Sequence, residues 1–523
     1  MIPVGDEILN DLKFLSLETG KPIVSFTPPF SPHEITIFLN SIEENDLSPA
    51  AKESYNRIQN RLNPLAPVSA ASDNFLYTLN INSIIETNIR SNNSISWQPY
   101  NPKVPSFISL PMRFYFADSL QLYFEPIIAL DPEYYLTSGN FALNIPYELQ
   151  NLDQNLPLRA YLAAGNSWMN FQIGRDRLSF GSGQMGNLAL SDSPHFYDFA
   201  RISFFSSIFK YSVIVSQMPL HLGNEKSNIY SGDLIEGSLI ETLQRNLYLH
   251  RLDFSVKNKL TISITEAVMV GNSPIEIRYL NPIMVFHSLY SFWNYPRWNK
   301  NEERSPGWGD MNGSLFSLEL NWNVVTSFAL YGQFVMNQIA TSYKIEHWEP
   351  QVNGLGYLAG SRLSRNFGEW GSVFNLEFIY TYPYLYMNPS PFASYIHMRY
   401  LGIRPDRFHY SYIGFPRDTI AVNLSSQFFK DDKLKLNGSF KWLLQGEHDI
   451  YWDWESTLEA YNEKTPTGVA QSLFILSFGA NYKLLSWLEL KTDITGLYSI
   501  NNNFISNNNQ TGAQASFSVI INY

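Results

Sequence analysis

From about residue 74 onward the chain repeats one pattern. Apolar and polar residues alternate with a period of two over segments of about ten residues or more. In "KLKLNGSFKWLLQ" (433–445), Leu434, Leu436, Phe440, Trp442 and Leu444 fall on one face, opposite Lys433, Lys435, Asn437, Ser439, Lys441 and Gln445. "WLELKTDITGLY" sets Leu488, Leu490, Ile494 and Tyr498 against Glu489, Lys491 and Asp493. "YLHRLDFSV" sets Leu252, Phe254 and Val256 against Arg251 and Asp253. This period belongs to a strand whose two faces meet different surroundings. A soluble β-sandwich alternates too, but its strands are usually about five or six residues long. Segments of about ten match a bilayer crossed at a tilt.

The links between segments argue the same way. Tight ones, such as "AD" (117–118), "GN" (165–166), "KNK" (257–259), "KDD" (430–432) and "LLS" (484–486), alternate with long ones at 131–157, 176–197, 217–245, 271–311, 383–416 and 446–468. Short turns on one side and long loops on the other are the habit of an outer-membrane barrel. Upward strands are expected near 74–90, 119–130, 167–174, 208–216, 260–270, 325–336, 371–382, 433–445 and 487–499. Downward strands are expected near 106–116, 158–164, 198–206, 246–256, 312–321, 355–363, 417–428, 469–482 and 511–523. The fold class predicted is an all-β transmembrane barrel of about 18 antiparallel strands. Its last strand, "QASFSVIINY", must close against its first, because an open edge in lipid leaves backbone groups unpaired. Phe517, Val519, Ile521 and Tyr523 are then expected to face lipid, with Tyr523 in the aromatic girdle. An aromatic end after such alternation resembles the signal read by bacterial barrel-assembly machinery.

Residues 1–70 follow another period and are expected to form a small periplasmic α-helical unit, with the barrel over 71–523. Ile8, Leu9, Leu12 and Leu15 recur at helical spacing before Gly20. "SPHE" offers Ser31 as N-cap, Pro32 at the first helical position and Glu34 to close a capping box, ahead of Ile35, Phe38, Leu39 and Ile42. Ser48 and Pro49 open a third helix carrying Tyr55, Ile58 and Leu62.

Composition agrees with a chain whose apolar residues need somewhere to go. Of its 523 residues only 16% are charged, against about 25% in ordinary globular proteins, and 15% are aromatic. No stretch approaches the ~18 uninterrupted apolar residues of a spanning helix. The absence of cysteine excludes disulfides, thiolate metal sites and Cys nucleophiles. A net charge of −11 argues against a nucleic-acid partner. Met1 is followed by "IPVGDEILNDL", which is no signal sequence. A barrel in the bacterial outer membrane therefore implies a signal peptide already removed from this numbering.

Several segments resemble the capsule-assembly outer-membrane lectin family called Wzi. They are "NDLKFLSLETGKPIVSFTPPFSPHEITIFL", "FQIGRDRLSFGSGQMGNLALSD" (171–192), "GDMNGSLFSLELNWNVVTSFALYGQFVMNQ" (309–338), "HRLDF" and "YLNPIMVFH" (279–287). The resemblance implies an 18-stranded barrel with a periplasmic helical bundle. It also implies a role in organising or anchoring a capsule or exopolysaccharide by binding surface polysaccharide.

Two loops on the expected outer side suit sugars, whose apolar faces and hydroxyl rims call for aromatic platforms edged by polar groups. "HSLYSFWNYPRWNKNEERSPGWGD" holds Trp293, Tyr295, Arg297, Trp298 and Trp308. "EHDIYWDW" holds Asp449, Tyr451, Trp452, Asp453 and Trp454. Packing between loops, or an aromatic girdle, is the plainer explanation of the same residues. Arg175 and Arg177 share a strand face and are expected in the lumen with Arg251, Asp253, Glu489, Lys491 and Asp493. Glu125, Asp198 and Glu266 are available as partners for Arg175. The glycines of "GSGQMG" are no phosphate loop, lacking the Lys-Ser/Thr ending, and suit a loop folded back into the barrel.

No enzyme is expected. Asp449 and Asp453 are acids in one loop without further glycosidase features, and no GxSxG elbow occurs. His250, His287, His347, His397 and His409 show no HExxH spacing, so neither metal nor cofactor is expected. A wet lumen would instead make the chain an outer-membrane porin or channel for small solutes.

Overall fold

The computed structural model describes residues 1–62, 68–72, 75–96, 103–116, 119–137, 139–153, 155–222, 241–243, 245–271, 274–282, 312–339, 352–388, 393–400, 408–431, 433–450 and 463–523. Within them the alternating segments become one antiparallel sheet closed on itself. The first three spans are broken strands: Phe75–Leu79 with Asn82–Arg90, Ile108–Ser109 with Met112–Phe116, and Leu120–Glu125 with Ile127–Ile128. Arg159–Gly165, Met169–Asp176, Tyr197–Phe205, Phe209–Gln217, Arg245–Val256 and Leu260–Gly271 follow. The wall continues through Asn312–Val325, Phe328–Gln338, Gly354–Phe367, Trp370–Thr381, Thr419–Lys430 and Leu434–Gln445. Gln471–Leu485, Leu488–Ile500 and Gln510–Asn522 complete it, giving the 18 spans expected. Closure is direct, running from Asn82↔Asn522 to Arg90↔Gln514. The backbone of Tyr523 also exchanges hydrogen bonds with Ile81, at 2.8 and 2.6 Å.

Each span separates its faces as the alternation requires. Phe478 and Ile494 are each 59% exposed and Phe440 is 39%, while their polar neighbours turn inward. Apolar side chains exposed in such rows around a closed wall suit hydrocarbon rather than water. Short hairpins join the spans at one end. At Lys257–Asn258 both residues have φ near +50°, the backbone of a type I′ turn, whose twist matches the strands it joins.

Two local features were not read from the sequence. The second span begins only at Ile108, leaving the upper part of Asn82–Arg90 without that neighbour. Phe141–Leu143, from the long link 131–157, fills the place and pairs Thr87↔Leu143 and Ile89↔Phe141. At the other end, Phe75–Leu79 overhangs beyond Tyr523. Val68–Ser72 folds back along it, Val68↔Leu79 to Ser72↔Phe75. Both additions satisfy backbone groups that an exposed edge would leave open.

The helices α1 (Ile8–Thr19), α2 (Pro32–Leu39) and α3 (Pro49–Leu62) gather at the short-turn end. Ser31 caps α2 as the sequence indicates: its Oγ accepts from the Glu34 N–H at 3.3 Å, and Glu34 Oε1 accepts from the Ser31 N–H at 3.0 Å. Ile8, Leu12, Leu15, Ile35, Phe38, Leu39 and Ile58 form the helical core, which Phe429 of the barrel wall enters. Arg57 bonds Asp11 and Arg61 bonds Asp6, tying α3 to the α1 end. Glu18 docks the unit on the turns, accepting from Ser327 Oγ at 3.2 Å, Asn366 Nδ2 at 2.7 Å and Ser364 Oγ.

A lumenal fold-back and the loop face above it

The "GSGQMGNLALSD" segment lies inside the barrel. Gly181 and Gly186 have φ of +130° and +147°, which side-chain-bearing residues rarely adopt, and these two points turn the chain back into the lumen. Wall side chains then take up its backbone groups. The Gln184 and Met185 N–H donate to the two carboxylate oxygens of Glu377 at 2.8 and 2.9 Å. Leu188 N–H donates to Gln333 Oε1 at 2.5 Å, and Gln333 Nε2 donates to the Phe180 carbonyl at 3.2 Å. From the loop side, Tyr386 Oη donates to the Leu188 carbonyl at 2.6 Å and Phe415 N–H to that of Asn187 at 2.9 Å. A segment without secondary structure can be buried only if its peptide groups are met in this way.

Glu377 acts through a row across three neighbouring strands, Tyr331↔Gly360↔Glu377. Gly360 carries no Cβ, so the Tyr331 ring lies flat across it and its hydroxyl donates to Glu377 at 2.9 Å. The Arg362 guanidinium covers that ring at 4.3 Å and donates to the Ser182 carbonyl. Above this layer, Leu178, Phe180, Leu188 and Leu190 of the fold-back pack with Tyr384, Tyr386, Ile413 and Phe415 of the loops and with the inward Leu443, Leu473 and Leu497. The loop half of the lumen is therefore a packed protein core.

Among the residues expected in the lumen, Arg251 and Asp253 are there, wholly buried. Arg251 pairs with Asp253 at 2.8 Å and with Glu319 at 3.0 Å. Glu489, Lys491 and Asp493 alternate inward across from Ile520, Ser518 and Ser516, on a wetter wall. Lys491 and Asp493 pair at 3.0 Å and stay 42% and 26% exposed. Arg175 departs from the expectation. In Met169–Asp176 the buried, inward residues are Asn170, Gln172 and Asp176, so Arg175 points outward. There it pairs with Asp198 at 2.7 Å and stacks over Phe196 at 3.9 Å. Arg177 does not share its face. It lies past the strand end, at the start of the fold-back, and donates to the His195 carbonyl at 3.3 Å. Two arginines at alternate positions imply one face only while the strand continues, and it ends at Asp176. Phe517, Val519, Ile521 and Tyr523 alternate on the outward face of the closing span, Phe517 46% and Tyr523 59% exposed.

On the long-loop side, Asp418 organises the stem from which the second aromatic loop rises. Its carboxylate accepts from Thr467 Oγ1 at 2.5 Å and from the N–H groups of Thr467 and His448 at 3.2 and 3.3 Å. Burial pushes the Asp418 carboxyl above its ordinary value, and these donors oppose that shift. Burial, and then the Arg417 charge, hold His448 down to about 4. Tyr384 Oη donates to Glu463 at 2.9 Å, and Arg417 donates to the Asp449 carbonyl. Asp449 thus belongs to the stem. Tyr451, Trp452, Asp453 and Trp454, together with Trp293, Tyr295, Arg297, Trp298 and Trp308, lie outside the described residues. Sequence reasoning missed Glu377, Gln333, Tyr331 and Asp418. Glu377 in "NLEFIY" carried the signal of an acid on the inward parity of a strand, but nothing local marks its partner 193 positions away.

No family model matches this sequence, and no curated protein does. Solved structures do. Wzi, described as an outer membrane protein involved in group 1 capsule assembly in Escherichia coli and a carbohydrate-binding β-barrel, superposes with a TM-score of 0.57 at 14% identity, over 97% of each chain. The chain has the fold of an outer-membrane β-barrel. OccK10 of Pseudomonas aeruginosa matches at a TM-score of 0.41 and 9% identity over 86% of this chain and 99% of its own. The channel DcaP of Acinetobacter baumannii matches at 0.36 and 8%, over 88% and 100%. At 14% identity the likeness to Wzi is one of fold alone.

Proposed function

We propose that this chain resides in the outer membrane with its short turns in the periplasm, and that it binds surface polysaccharide through its outward loops without catalysis. In this reading it helps organise or anchor a capsule or exopolysaccharide, as a Wzi-like lectin would. The observation that carries the reading is the packed loop half of the lumen. A barrel whose loop half is filled by the fold-back at 177–192 and by the Glu377 layer is built to hold a loop face in place rather than to pass solute. The likeness to a carbohydrate-binding β-barrel supports the same assignment. The aromatic loops at 287–310 and 447–454 would supply stacking platforms, and the Asp418 stem would fix the base of the second. Insertion would follow recognition of the Phe517–Tyr523 strand by barrel-assembly machinery.

The test is a glycan pull-down with Trp298→Ala and Trp452→Ala. Both variants should keep the heat-modifiable gel mobility of a folded barrel and lose polysaccharide retention; unchanged retention in both would sink the loop assignment. A channel remains the second reading because one wall is wet. Asn437, Lys491 and Asp493 keep exposed surface inside the barrel. A steady large conductance in a planar bilayer would favour it.

A further inference from the structure

A cavity of about 330 Å³ lies away from the loop face, at the short-turn end between α2, the link at 21–25 and two neighbouring hairpin turns. Leu12, Phe30, Ile35, Phe38, Phe205 and Ile208 form the apolar part of its wall. The exposed lining residues Ser41, Ser207, Ile208 and Asn258 mark its mouth, in the gap between turns 206–207 and 257–259. We propose that this cavity takes one acyl chain of a phospholipid from the adjacent leaflet, with the lipid phosphate held at Lys21.

Three observations select that occupant. The first is position. The mouth stands at the barrel rim, where Trp168 of the next hairpin turn, 54% exposed, stacks on the outward Phe204 at 5.9 Å. Exposed Trp on a barrel rim marks the headgroup level of a bilayer, so the opening lies where lipid chains begin. The second is charge. Lys210 is spent internally, paired with Glu34 at 2.5 Å and lying 4.9 Å over Phe30. Among the described lining residues, Lys21 is the cation with no carboxylate partner. Its Nζ donates to the Ser41 carbonyl at the mouth, which Ser207 and Asn258 also line, and the ammonium's remaining N–H groups suit a phosphate oxygen. The third is size. The volume falls at the lower end of the roughly 300–1,000 Å³ of small-ligand pockets, which accommodates one alkyl chain rather than a whole diacyl lipid.

The experiment uses the full chain reconstituted into vesicles that contain phosphatidylglycerol with a photoreactive diazirine near the end of one acyl chain. Adducts are mapped by mass spectrometry. Adducts are expected on Ile35, Phe38 or Phe205, in addition to those on lipid-facing residues such as Phe254. Ser41→Trp, at an exposed position in the mouth, should lower the cavity adducts by about tenfold, equivalent to ~1.4 kcal/mol of affinity. The Phe254 adducts should not change, which controls for folding and insertion. Lys21→Glu should reduce adducts from phosphatidylglycerol but not those from an uncharged diacylglycerol probe. Labelling confined to outward-facing residues would overturn the proposal, as would cavity labelling indifferent to Ser41→Trp. So would recovery of a polypeptide segment, rather than lipid, cross-linked to Phe38.

Discussion

Removing the Glu377 carboxylate should release the lumenal segment while leaving the barrel closed. Glu377 is wholly buried and receives three donors: the Gln184 and Met185 N–H at 2.8 and 2.9 Å and Tyr331 Oη at 2.9 Å. A hydrogen bond to a charged group contributes about 1.5–3 kcal/mol, and a stranded buried donor costs about 1–3 kcal/mol. Water admitted to the space left by Glu377→Ala restores part of this. A net loss of about 3 kcal/mol in the local opening free energy is expected, so amide exchange at Met185 and Leu188 should accelerate on the order of 100-fold. Glu377→Gln keeps one acceptor oxygen and should fall between Ala and the parent. Gly360→Ala should reproduce the effect from a distance, because its Cβ would overlap the Tyr331 ring and dislodge the hydroxyl from Glu377. Exchange mass spectrometry on barrels in detergent reads all three variants, with peptides from Gln510–Asn522 as the unaffected reference. Acceleration of less than about 3-fold at Met185 in Glu377→Ala would show that packing in the loop-side core, not this carboxylate, holds the segment.

Other outcomes follow from the same structure. Arg251→Ala leaves Asp253 and Glu319 as uncompensated buried charges and should destabilise the barrel by about 3–5 kcal/mol, read as a lower temperature for the heat-induced gel shift. Ser31→Ala removes one half of the α2 capping box and should cost about 0.5–2 kcal/mol locally, with faster exchange across Pro32–Leu39 and an unchanged barrel. His397, His409 and His448 are held down to about 3, 4 and 4, in each case by burial first and then by a neighbouring arginine. Opened loops would bind protons near the ordinary histidine value of ~6.5, before the closed loops do. The stability these groups contribute is therefore present above that value and lost as pH falls towards 4. Protease nicking of the loop layer should rise between pH 7 and pH 5, and an unchanged rate would remove these histidines from the account.

Much of the architecture could be read from residues alone. Spans such as Leu434–Gln445 and Leu488–Ile500 declare themselves because a period of two runs through most of their length, broken only where the inward Leu443 and Leu497 join the lumenal core. Ser31, Glu34 and Gly20 announce helix ends through contacts with residues only a few positions away. Arg177 was misplaced because parity was carried one residue past the end of a strand, and Arg175 because its charge was read as inward although it shares parity with the outward Ile173. The partner strand Phe141–Leu143 was hidden in a link, since three residues are too few to display a period.

The sequence by itself determined that a wall would form and how many spans it would need. These follow from side-chain alternation and link length, which are local properties. Only the tertiary structure decided that the 177–192 segment packs into the loop half of the lumen. Glu377 meets Gln184, and Tyr386 meets Leu188, across separations of 193 and 198 residues. Whether an inward polar residue lines water or satisfies a buried peptide group depends on what the far side of the barrel places against it.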